Sequence, residues 1–597
     1  MTKKQIAQTI YHETKSKWSY LKSEDTIHLK LKVGSNLVNR IEVVSYDPFN
    51  WAPEPSGKYI FRTDEFRFEE LEKEFSNDLF DYWFVEVKEV KDLRFRYGFI
   101  LYTDNGIFFY GPKGIVSYDV YKNIKYTGTG EGFSMFFNFP YFNYEDVYQA
   151  PKWVKDTIWY QIFPATFASR NNNDIDSKIA QSSHVKLDYM GDLLGVVDKL
   201  DYLKDLGITG IYFTPLFDSL SIHKYDTKDY TKIDPSFGTN KDFKLLVQEA
   251  HGRGIKVMLD GVFNHCAFEH PFFQDVIKNG EASKYKDYFF IKEYPVLNFN
   301  LDNGTIPNLK FEQTKNLNYR TFGFTPSMPK LNTGNKDLQR YINEVCKTWI
   351  RDYNIDGWRL DVSNAVSHDF WRDFRKEMKS VKDDIYLIGE NWENSYPWIQ
   401  GDQFDGVMNF EVMYRIWAFL GDKKYVDNLV DLDGFINSIS EYLVMYPKVV
   451  YENMFNFLDN HDTPRIINIM GKNSNITKLS FVLLMMMPGT PSIYYGTEQL
   501  LEGDNPGNGR KNMDWSIEGN DMYDFLKDMI TYRKSYPAMH SINFNWEIID
   551  NSNRAFKLIK FSKSNEVVLY FNASENNIII GGVKLEPYSY KFEFLHK

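Results

Sequence analysis

The arrangement of apolar and polar residues divides the chain into three regions. In residues 1–130, short segments such as Thr26–Val33 and Tyr97–Tyr102 alternate or run apolar and are separated by Gly, Asn, Asp and Pro, which is typical of a β-rich domain. A turn-rich connector follows at 131–150. In the central region, 151–538, short apolar segments alternate with amphipathic ones, which indicates parallel strands joined by helices. Residues 539–597 are β-like again and predict a small C-terminal β domain.

The central region contains eight candidate strands. They are the segments 157–163, 210–215, 256–262, 357–362, 386–390, 406–410, 454–460 and 492–496. This number of strands alternating with helices predicts an α/β fold, a (β/α)8 TIM barrel. The stretch 266–331 after strand 3 is long enough to form an insertion subdomain. On strand count alone, an open doubly wound sheet remains the alternative.

Composition narrows the classes of partner. The 597 residues carry a net charge of −11, which favours neither nucleic acid nor an anionic membrane as a partner. The most apolar run, Phe481–Pro488, is far shorter than the roughly 20 residues of a membrane helix. The N-terminus lacks the apolar segment of a signal peptide, and Cys266 and Cys346 alone cannot form a disulfide framework. We therefore expect a soluble, cytoplasmic protein.

Ionisable residues interrupt the apolar strands at their C-terminal ends. In a parallel barrel, these ends lie on one rim. A single acid in such a place is more often a helix cap or an ion-pair partner. Several ionisable groups on one rim indicate a catalytic site instead, because burying them together is costly unless they are paired or used. The residues concerned are Asp260 and His265 after strand 3, Arg359 and Asp361 on strand 4, Glu390 after strand 5, and Asp459, His461 and Asp462 after strand 7.

Two carboxylates with different roles fit glycoside hydrolysis. One attacks the anomeric carbon, and the other protonates the leaving oxygen and then activates water. Repulsion between neighbouring acids helps one of them to keep its proton. Arg359 lies two residues before Asp361, on the same side of the strand, and would keep that carboxylate ionised. The strand ends therefore predict a glycosidase.

The motifs around these acids resemble the four conserved regions of the α-amylase family of glycoside hydrolases. They are GVFNH after Asp260, GWRLD ending at Asp361, IGE ending at Glu390 and FLDNHD ending at Asp462. MPKLN at 328–332 resembles the signature of the neopullulanase, cyclomaltodextrinase and maltogenic amylase group, and the segments 223–238 and 401–410 are similar to that group as well. IYHETKSKWSY, FDYWFVEV and RYGF resemble its N-terminal β-sandwich domain of starch-binding type, so the resemblance spans almost the whole chain.

The resemblance implies a role for each matching residue. Asp361 matches the nucleophile, Glu390 the general acid/base, and Asp462 the carboxylate that binds sugar hydroxyls and stabilises the transition state. Tyr225 matches a tyrosine that stacks beneath the sugar, while a purely structural role stays open for His223. The full set of substrate-binding residues implied is Tyr225, His223, His265, Arg359, His461, Asn364 and Arg510.

Three departures from the group's pattern concern the outer parts of the site. Ala365 stands where a glutamate associated with acceptor-side recognition is usual. Ala165 and Thr166 replace an acid and an arginine after strand 1. The loop 505–511 has Asn505 in place of an aspartate and one extra residue before Arg510. We therefore expect the substrate preference to differ from that of the group. The reaction itself should be unchanged, since none of these changes affects the three acids.

A structural calcium site is a further expectation, because the group often binds Ca²⁺ in the loop after strand 1. Asparagine and aspartate side chains offer the oxygen ligands that calcium prefers. Met190 replaces an expected glycine, and an Asn-rich solvated turn is the alternative. No cofactor is expected to take part in the chemistry. The candidate ligands are Asn171, Asn173, Asp174 and Asp192.

The leading hypothesis is a retaining hydrolase that cleaves α-1,4-glucosidic bonds of maltooligosaccharides, cyclodextrins and pullulan fragments through a covalent intermediate on Asp361. An α-glucan transglycosylase with the same site is one alternative, and a non-catalytic carbohydrate-binding homologue is another. The resemblance also implies a homodimer, in which the N-terminal domain of one subunit covers the cleft of the other.

Overall fold

The computed structural model describes residues 3–126, 132–170, 189–517 and 519–596. The chain divides into two units, Met1–Gln149 with Asp433–Tyr451, and Ala150–Leu432 with Glu452–Lys597. In the described ranges, no helix combines the length and the apolar character needed to cross a membrane.

The N-terminal unit contains two antiparallel sheets, as expected for a β-sandwich. Alternate residues such as Leu29 and Leu31 of one sheet and Val43 and Phe99 of the other are buried in one core. Phe137–Phe139, within the predicted connector, pairs with the second sheet. In spatial order, the first sheet is Ser19–Ser23, Thr26–Gly34, Phe80–Val87 and Glu72–Ser76, and the second is Gly114–Ser117, Gly106–Gly111, Phe95–Thr103, Arg40–Tyr46 and Arg67–Glu70. The remaining elements are the hairpin Trp51–Pro53 and Tyr59–Phe61 and the helices Lys3–Thr9 and Tyr118–Lys122.

A later part of the chain packs with this unit. Residues Asp433–Tyr451, which lie inside the predicted barrel domain in sequence, join the N-terminal residues. The buried Lys30 ammonium donates to the Tyr446 carbonyl at 2.7 Å, and the Lys448 amide donates to the Tyr20 hydroxyl at 2.6 Å. The residues that Asp433–Tyr451 contacts are therefore distant in sequence, and a local sequence pattern does not reveal them.

The second unit is built on an eight-stranded parallel sheet, here β1 to β8 in chain order. Its spatial order is β6-β5-β4-β3-β2-β1-β8-β7, and a parallel bridge between Met408 and Phe455 joins the two ends. The predicted (β/α)8 barrel is therefore confirmed, and the doubly wound alternative is excluded. The strands are Trp159–Ile162, Gly210–Phe213, Lys256–Gly261, Gly357–Leu360, Tyr386–Gly389, Gly406–Val407, Phe455–Asn456 and Thr490–Tyr494.

Helices surround this barrel for reasons visible in the sequence. The helix Lys336–Tyr353 begins at Asn335, whose side chain accepts from two backbone N–H groups, and ends at Asn354 in the left-handed conformation. Its buried residues recur at three- and four-residue spacing. The helices of this unit are Pro164–Phe167, Leu193–Asp198, Leu200–Leu206, Asn240–Gly252, Pro271–Asn279, Phe311–Lys315, Lys336–Tyr353, His368–Val381, Phe410–Leu420, Ile466–Ile469, Ser474–Met486, Pro506–Gly509 and Asp521–Ser535, whereas all but the first residue of the helix Leu432–Tyr442 belongs to the N-terminal unit.

Two further parts complete the unit. The insertion after β3 is held to the rim by a bridge between His265 and Lys330, and a bridge between Phe289 and Leu331 lies within it. A hairpin of Phe217–Ser219 and Thr227–Ile233 follows β2. The C-terminal region forms the predicted β domain. Its strands are Phe544–Asp550, Ala555–Phe561, Asn565–Asn572 and Ser589–His596 in one sheet, with Ile578–Ile580 and Val583–Leu585 in a second.

Candidate active site

The loops after the barrel strands surround a cleft of about 610 Å³. Its volume is within the usual range for a small-molecule site. Eight residues predicted from the sequence line it: Asp361, Glu390, Asp462, His223, Tyr225, His265, Asn364 and Arg510. The two other predicted residues, Arg359 and His461, are buried and contact the lining acids. Sequence analysis missed Phe322, Met328, Val362, Trp392 and Glu393, which also line the cleft.

Arg359 joins the acids of strands 3, 4 and 5. Its Nη1 donates to Asp361 Oδ1 at 2.8 Å and to both oxygens of Asp260 at 3.0 Å. Its Nη2 lies 3.0 Å from Glu390 Oε1. The guanidinium is completely buried, so its charge is poorly screened and orients the carboxylates around it.

The Asp361 carboxyl holds its proton more tightly than an ordinary aspartate. Burial raises the pKa of Asp361 well above its usual range, the negative charge of Glu390 raises it further, and Arg359 opposes both. Arg359 therefore lowers the pKa of Asp361, as the sequence predicts, but its effect is smaller than that of burial. Asp361 therefore retains its proton to a higher pH than a solvated aspartate would.

The Asp462 carboxyl, in contrast to that of Asp361, favours its ionised form. Burial alone would raise the pKa of Asp462, but His461 and Arg510 outweigh burial and hold that pKa below its usual range. His461 Nε2 lies 3.0 Å from Asp462 Oδ2, and Arg510 Nη2 lies 3.3 Å from Oδ1. The cleft therefore contains one aspartate, Asp361, that favours its protonated form and another, Asp462, that favours its ionised form.

Tyr225 forms the floor of the cleft beside His461. The two rings are parallel, with centroids 5.3 Å apart and an interplanar angle of 7°. The Tyr225 hydroxyl donates to Asp260 Oδ2 at 3.0 Å, and the Tyr212 hydroxyl donates to the same oxygen at 2.6 Å. Tyr212 was missed because it lies within an apolar strand segment that reads as core. His223 positions this floor, since its Nδ1 accepts from the Tyr225 amide at 3.1 Å.

His265 lines the cleft beside Phe322. Its Nδ1 lies 3.1 Å from the Asn264 amide nitrogen, and its ring stacks on Phe322 at 4.8 Å. Burial, helped by the charge of Lys330, lowers the pKa of His265 to about 3, so the ring is neutral. Its buried Nε2 has no hydrogen-bond partner in the described part of the chain. A sugar hydroxyl is the kind of group that would satisfy it.

The residue that departs from the group's pattern, Ala365, lies at the edge of this region. Its carbonyl accepts a hydrogen bond of 2.8 Å from Lys330 Nζ, which also bonds to the Asn264 side chain. Lys330 belongs to the MPKLN motif, so that motif ties the insertion to the turn after β4. Ala365 itself brings no carboxylate to the site.

The candidate calcium ligands divide into two groups. Asn171, Asn173 and Asp174 lie outside the described residues. Asp192 caps the helix Leu193–Asp198, accepting from the Gly195 amide at 2.6 Å and from Ser169 Oγ at 3.1 Å. Its carboxylate is thus already used as a cap. Within the described ranges, no group of three or more His, Cys, Asp or Glu residues is arranged to hold a metal ion.

Comparisons with known proteins agree with this geometry. Residues 161–543 match the α-amylase catalytic domain, and residues 5–143 match the α-amylase N-terminal Ig-like domain. The chain is 38% identical over 582 residues to a cyclomaltodextrinase of Geobacillus thermopakistaniensis (95% of this chain, 91% of the relative). It is 35% identical to an intracellular maltogenic amylase of Bacillus subtilis (96% and 91%). A solved cyclomaltodextrinase superposes with a TM-score of 0.84 at 33% identity (96% and 92%). The chain therefore belongs to the α-amylase family and is a glycoside hydrolase that acts on α-glucans.

Proposed function

We propose that the protein is a retaining hydrolase that cleaves α-1,4-glucosidic bonds of maltooligosaccharides, cyclodextrins and pullulan fragments. The observation that carries this proposal is that the carboxyls of Asp361 and Glu390 both contact the guanidinium of Arg359, each through a different nitrogen. Two carboxyls bound to the same Arg359 lie side by side, and a close pair is the arrangement that retaining glycosidases use.

The first chemical step transfers the sugar to the enzyme. Asp361 attacks the anomeric carbon as Glu390 gives its proton to the leaving glycosidic oxygen. The two carboxyls must therefore carry one proton between them at the start of this step, and the raised pKa of Asp361 favours the presence of that proton in the cleft. Substrate binding has to place that proton on Glu390 and leave Asp361 as the nucleophile.

The second step releases the sugar. Glu390, now ionised, removes a proton from water, and the water oxygen attacks the anomeric carbon and displaces Asp361. Asp462 stays ionised throughout because His461 and Arg510 favour its charged form. Its charge suits both hydrogen bonds from sugar hydroxyls and stabilisation of the positive charge that develops on the ring.

The choice of substrates rests on the relatives. The similarity to a cyclomaltodextrinase and a maltogenic amylase supports short and cyclic maltodextrins as substrates. The intracellular relative supports action in the cytoplasm. A homodimer and a structural calcium stay part of this proposal, and the double displacement itself uses only side chains and water.

A transglycosylase is the second candidate, favoured by two exposed aromatic side chains in the cleft. Phe322 and Trp392 both line it, and each is more than one third exposed. Aromatic faces bind the apolar faces of sugars, so they could hold an acceptor sugar in place of water. Incubation with concentrated maltotriose distinguishes the two: longer or α-1,6-linked products indicate transfer, and glucose and maltose alone indicate hydrolysis.

The test of the proposal is the removal of each acid in turn. Asp361→Asn and Glu390→Gln should each lower kcat on maltotriose by about 10³-fold or more. Asp369→Asn is the matched control, because this carboxylate is exposed on the helix His368–Val381. Substantial turnover by Asp361→Asn would refute the mechanism. Binding without turnover by the unmodified protein would favour a non-catalytic homologue, and rates on γ-cyclodextrin, pullulan, maltotriose and starch would define the preferred substrate.

A further inference from the structure

The indole of Trp392 contacts the carboxyl assigned here as the general acid/base. Trp392 Nε1 donates to Glu390 Oε1 at 3.0 Å. The same oxygen lies 3.0 Å from Arg359 Nη2. The other oxygen, Oε2, accepts a 2.9 Å hydrogen bond from the backbone amide of Val362. Two hydrogen-bond donors and the guanidinium charge of Arg359 thus surround one carboxyl group.

The Trp392 ring is itself held in place from behind. It stacks on Phe410 with centroids 4.4 Å apart and an interplanar angle of 20°. Phe410 is buried and packs edge-to-face on Phe457 at 5.0 Å. The Trp392 ring cannot tilt away from Glu390 without losing the stack on Phe410, so the position of its N–H is fixed by packing.

The backbone donor on the other side is held by strain. Val362 has φ 45° and ψ 44°, and it is the one β-branched residue with positive φ in the described part of the chain. Such a conformation costs about 1–3 kcal/mol and persists only when the surroundings enforce it. Here Ser363 enforces it, since its amide and hydroxyl both donate to the Glu390 carbonyl, at 3.2 and 3.0 Å.

This arrangement distinguishes the two carboxyl oxygens of Glu390. Each oxygen has about two lone-pair sites. Oε1 accepts from the Trp392 indole and lies 3.0 Å from the positively charged guanidinium of Arg359, whereas Oε2 accepts from the backbone amide of Val362. A proton on Oε1 would face both the indole N–H and the guanidinium charge, so Oε2 is the oxygen better placed to carry the proton and deliver it.

We propose that Trp392 is a positioning residue that makes Oε2 of Glu390 the proton-donating oxygen. The proposal rests on the proposed function, in which Glu390 is the acid. Without the indole N–H, a site on Oε1 becomes free, the proton can settle there, and the carboxyl can rotate. Proton delivery to the leaving sugar then becomes less efficient.

The test uses two substrates that differ in their need for an acid. A glucose leaving group in maltotriose needs protonation, whereas the fluoride of α-maltosyl fluoride leaves without it. Trp392→Phe keeps an aromatic ring on Phe410 and removes the donor. This variant should lower kcat/KM for maltotriose about tenfold, which is a fraction of the 10²–10⁴-fold that general acid catalysis supplies. It should change kcat/KM for the fluoride less than about twofold.

Trp398→Phe is the matched control. Trp398 is in the same loop, packs against His368, and its buried Nε1 has no hydrogen-bond partner among the described residues. It should leave both rates and their ratio unchanged. If Trp392→Phe folds poorly, Trp392→Leu provides the same loss of the donor with a smaller apolar side chain.

Equal losses of Trp392→Phe on the two substrates, or no loss on either, would overturn the proposal. Glu390→Gln separates this outcome from a failure of the proposed function. If Glu390 is the acid, this variant loses activity on maltotriose far more than on the fluoride. A variant without that selectivity would contradict the proposed function itself, whatever Trp392 does.

Discussion

Asp260 and Arg359 form a buried ion pair in which one guanidinium nitrogen lies 3.0 Å from both carboxylate oxygens. Asp260 does not line the cleft, and its other contacts are the hydroxyls of Tyr212 and Tyr225. It therefore acts on the substrate through Arg359 and Tyr225. Asp260 thus helps to fix the position of Arg359, which in turn contacts Asp361 and Glu390.

The Asp260→Asn variant tests that role. Removal of one partner of a buried ion pair leaves the other without compensation, so Arg359 should move and misplace Asp361 and Glu390. We expect kcat on maltotriose to fall about 10- to 100-fold with less than about a threefold change in KM. Steady-state kinetics on a variant with an unchanged circular dichroism spectrum checks this. A loss confined to KM would instead place Asp260 in substrate binding.

Arg533 should contribute to stability through the end of a helix. It is buried and donates to the Met487 carbonyl at 3.1 Å, and it also bonds to the carbonyls of Met485 and Gly489. These oxygens belong to the last turn of the helix Ser474–Met486 and to the residues just after it, where carbonyls lack intrahelical partners. Arg533→Met should lower the free energy of unfolding by about 2–4 kcal/mol.

Thermal unfolding would measure this loss, with Lys527→Met as the control. Lys527 pairs with Asp205 at the surface, where both side chains are well exposed. Such a pair contributes about 0–1 kcal/mol. Equal losses from the two variants would show that capping by Arg533 has no special value.

His12 predicts a dependence of stability on pH. Its ring nitrogens lie 2.7 Å from the Lys30 carbonyl and 2.7 Å from the Tyr97 hydroxyl, and burial lowers its pKa to about 4. The unfolded chain binds a proton at this residue below about pH 6.5, whereas the folded chain does so only below about pH 4. Stability should therefore fall as the pH decreases from 6.5 to 4.

A His12→Gln variant isolates this effect from that of other buried histidines. Gln keeps a polar group at the position but does not titrate. Tm measured between pH 7 and 4.5 should decrease less steeply for this variant than for the unmodified protein. Parallel curves would mean that His12 does not contribute to the acid sensitivity.

The barrel and its acids could be predicted because both depend on local patterns. Seven of the eight predicted segments contain a barrel strand, and the eighth, 492–496, overlaps Thr490–Tyr494, which begins two residues earlier. The acids follow directly from their position at strand ends. The strand β7 is shorter than the segment 454–460, because the residues after Asn456 turn into the rim. Strand ends are where sequence patterns are least informative, since rim geometry there overrides propensity.

The surroundings of the acids could not be predicted in the same way. Phe322 reaches His265 from a distant insertion, and Trp392 is oriented by Phe410 from the next barrel element. The left-handed backbone of Val362 contradicts the preference of a β-branched residue and is enforced by contacts with strand 5. These features depend on tertiary contacts, which no periodicity in the sequence records.

The configuration of the first product tests the central claim most directly. Proton NMR of the anomeric signals, recorded in the first minutes of maltotriose or γ-cyclodextrin hydrolysis and before mutarotation, identifies the sugar anomer as it is released. Double displacement through Asp361 predicts that the α-anomer appears first. Initial release of the β-anomer would contradict the proposed mechanism, because it would require a single displacement by water.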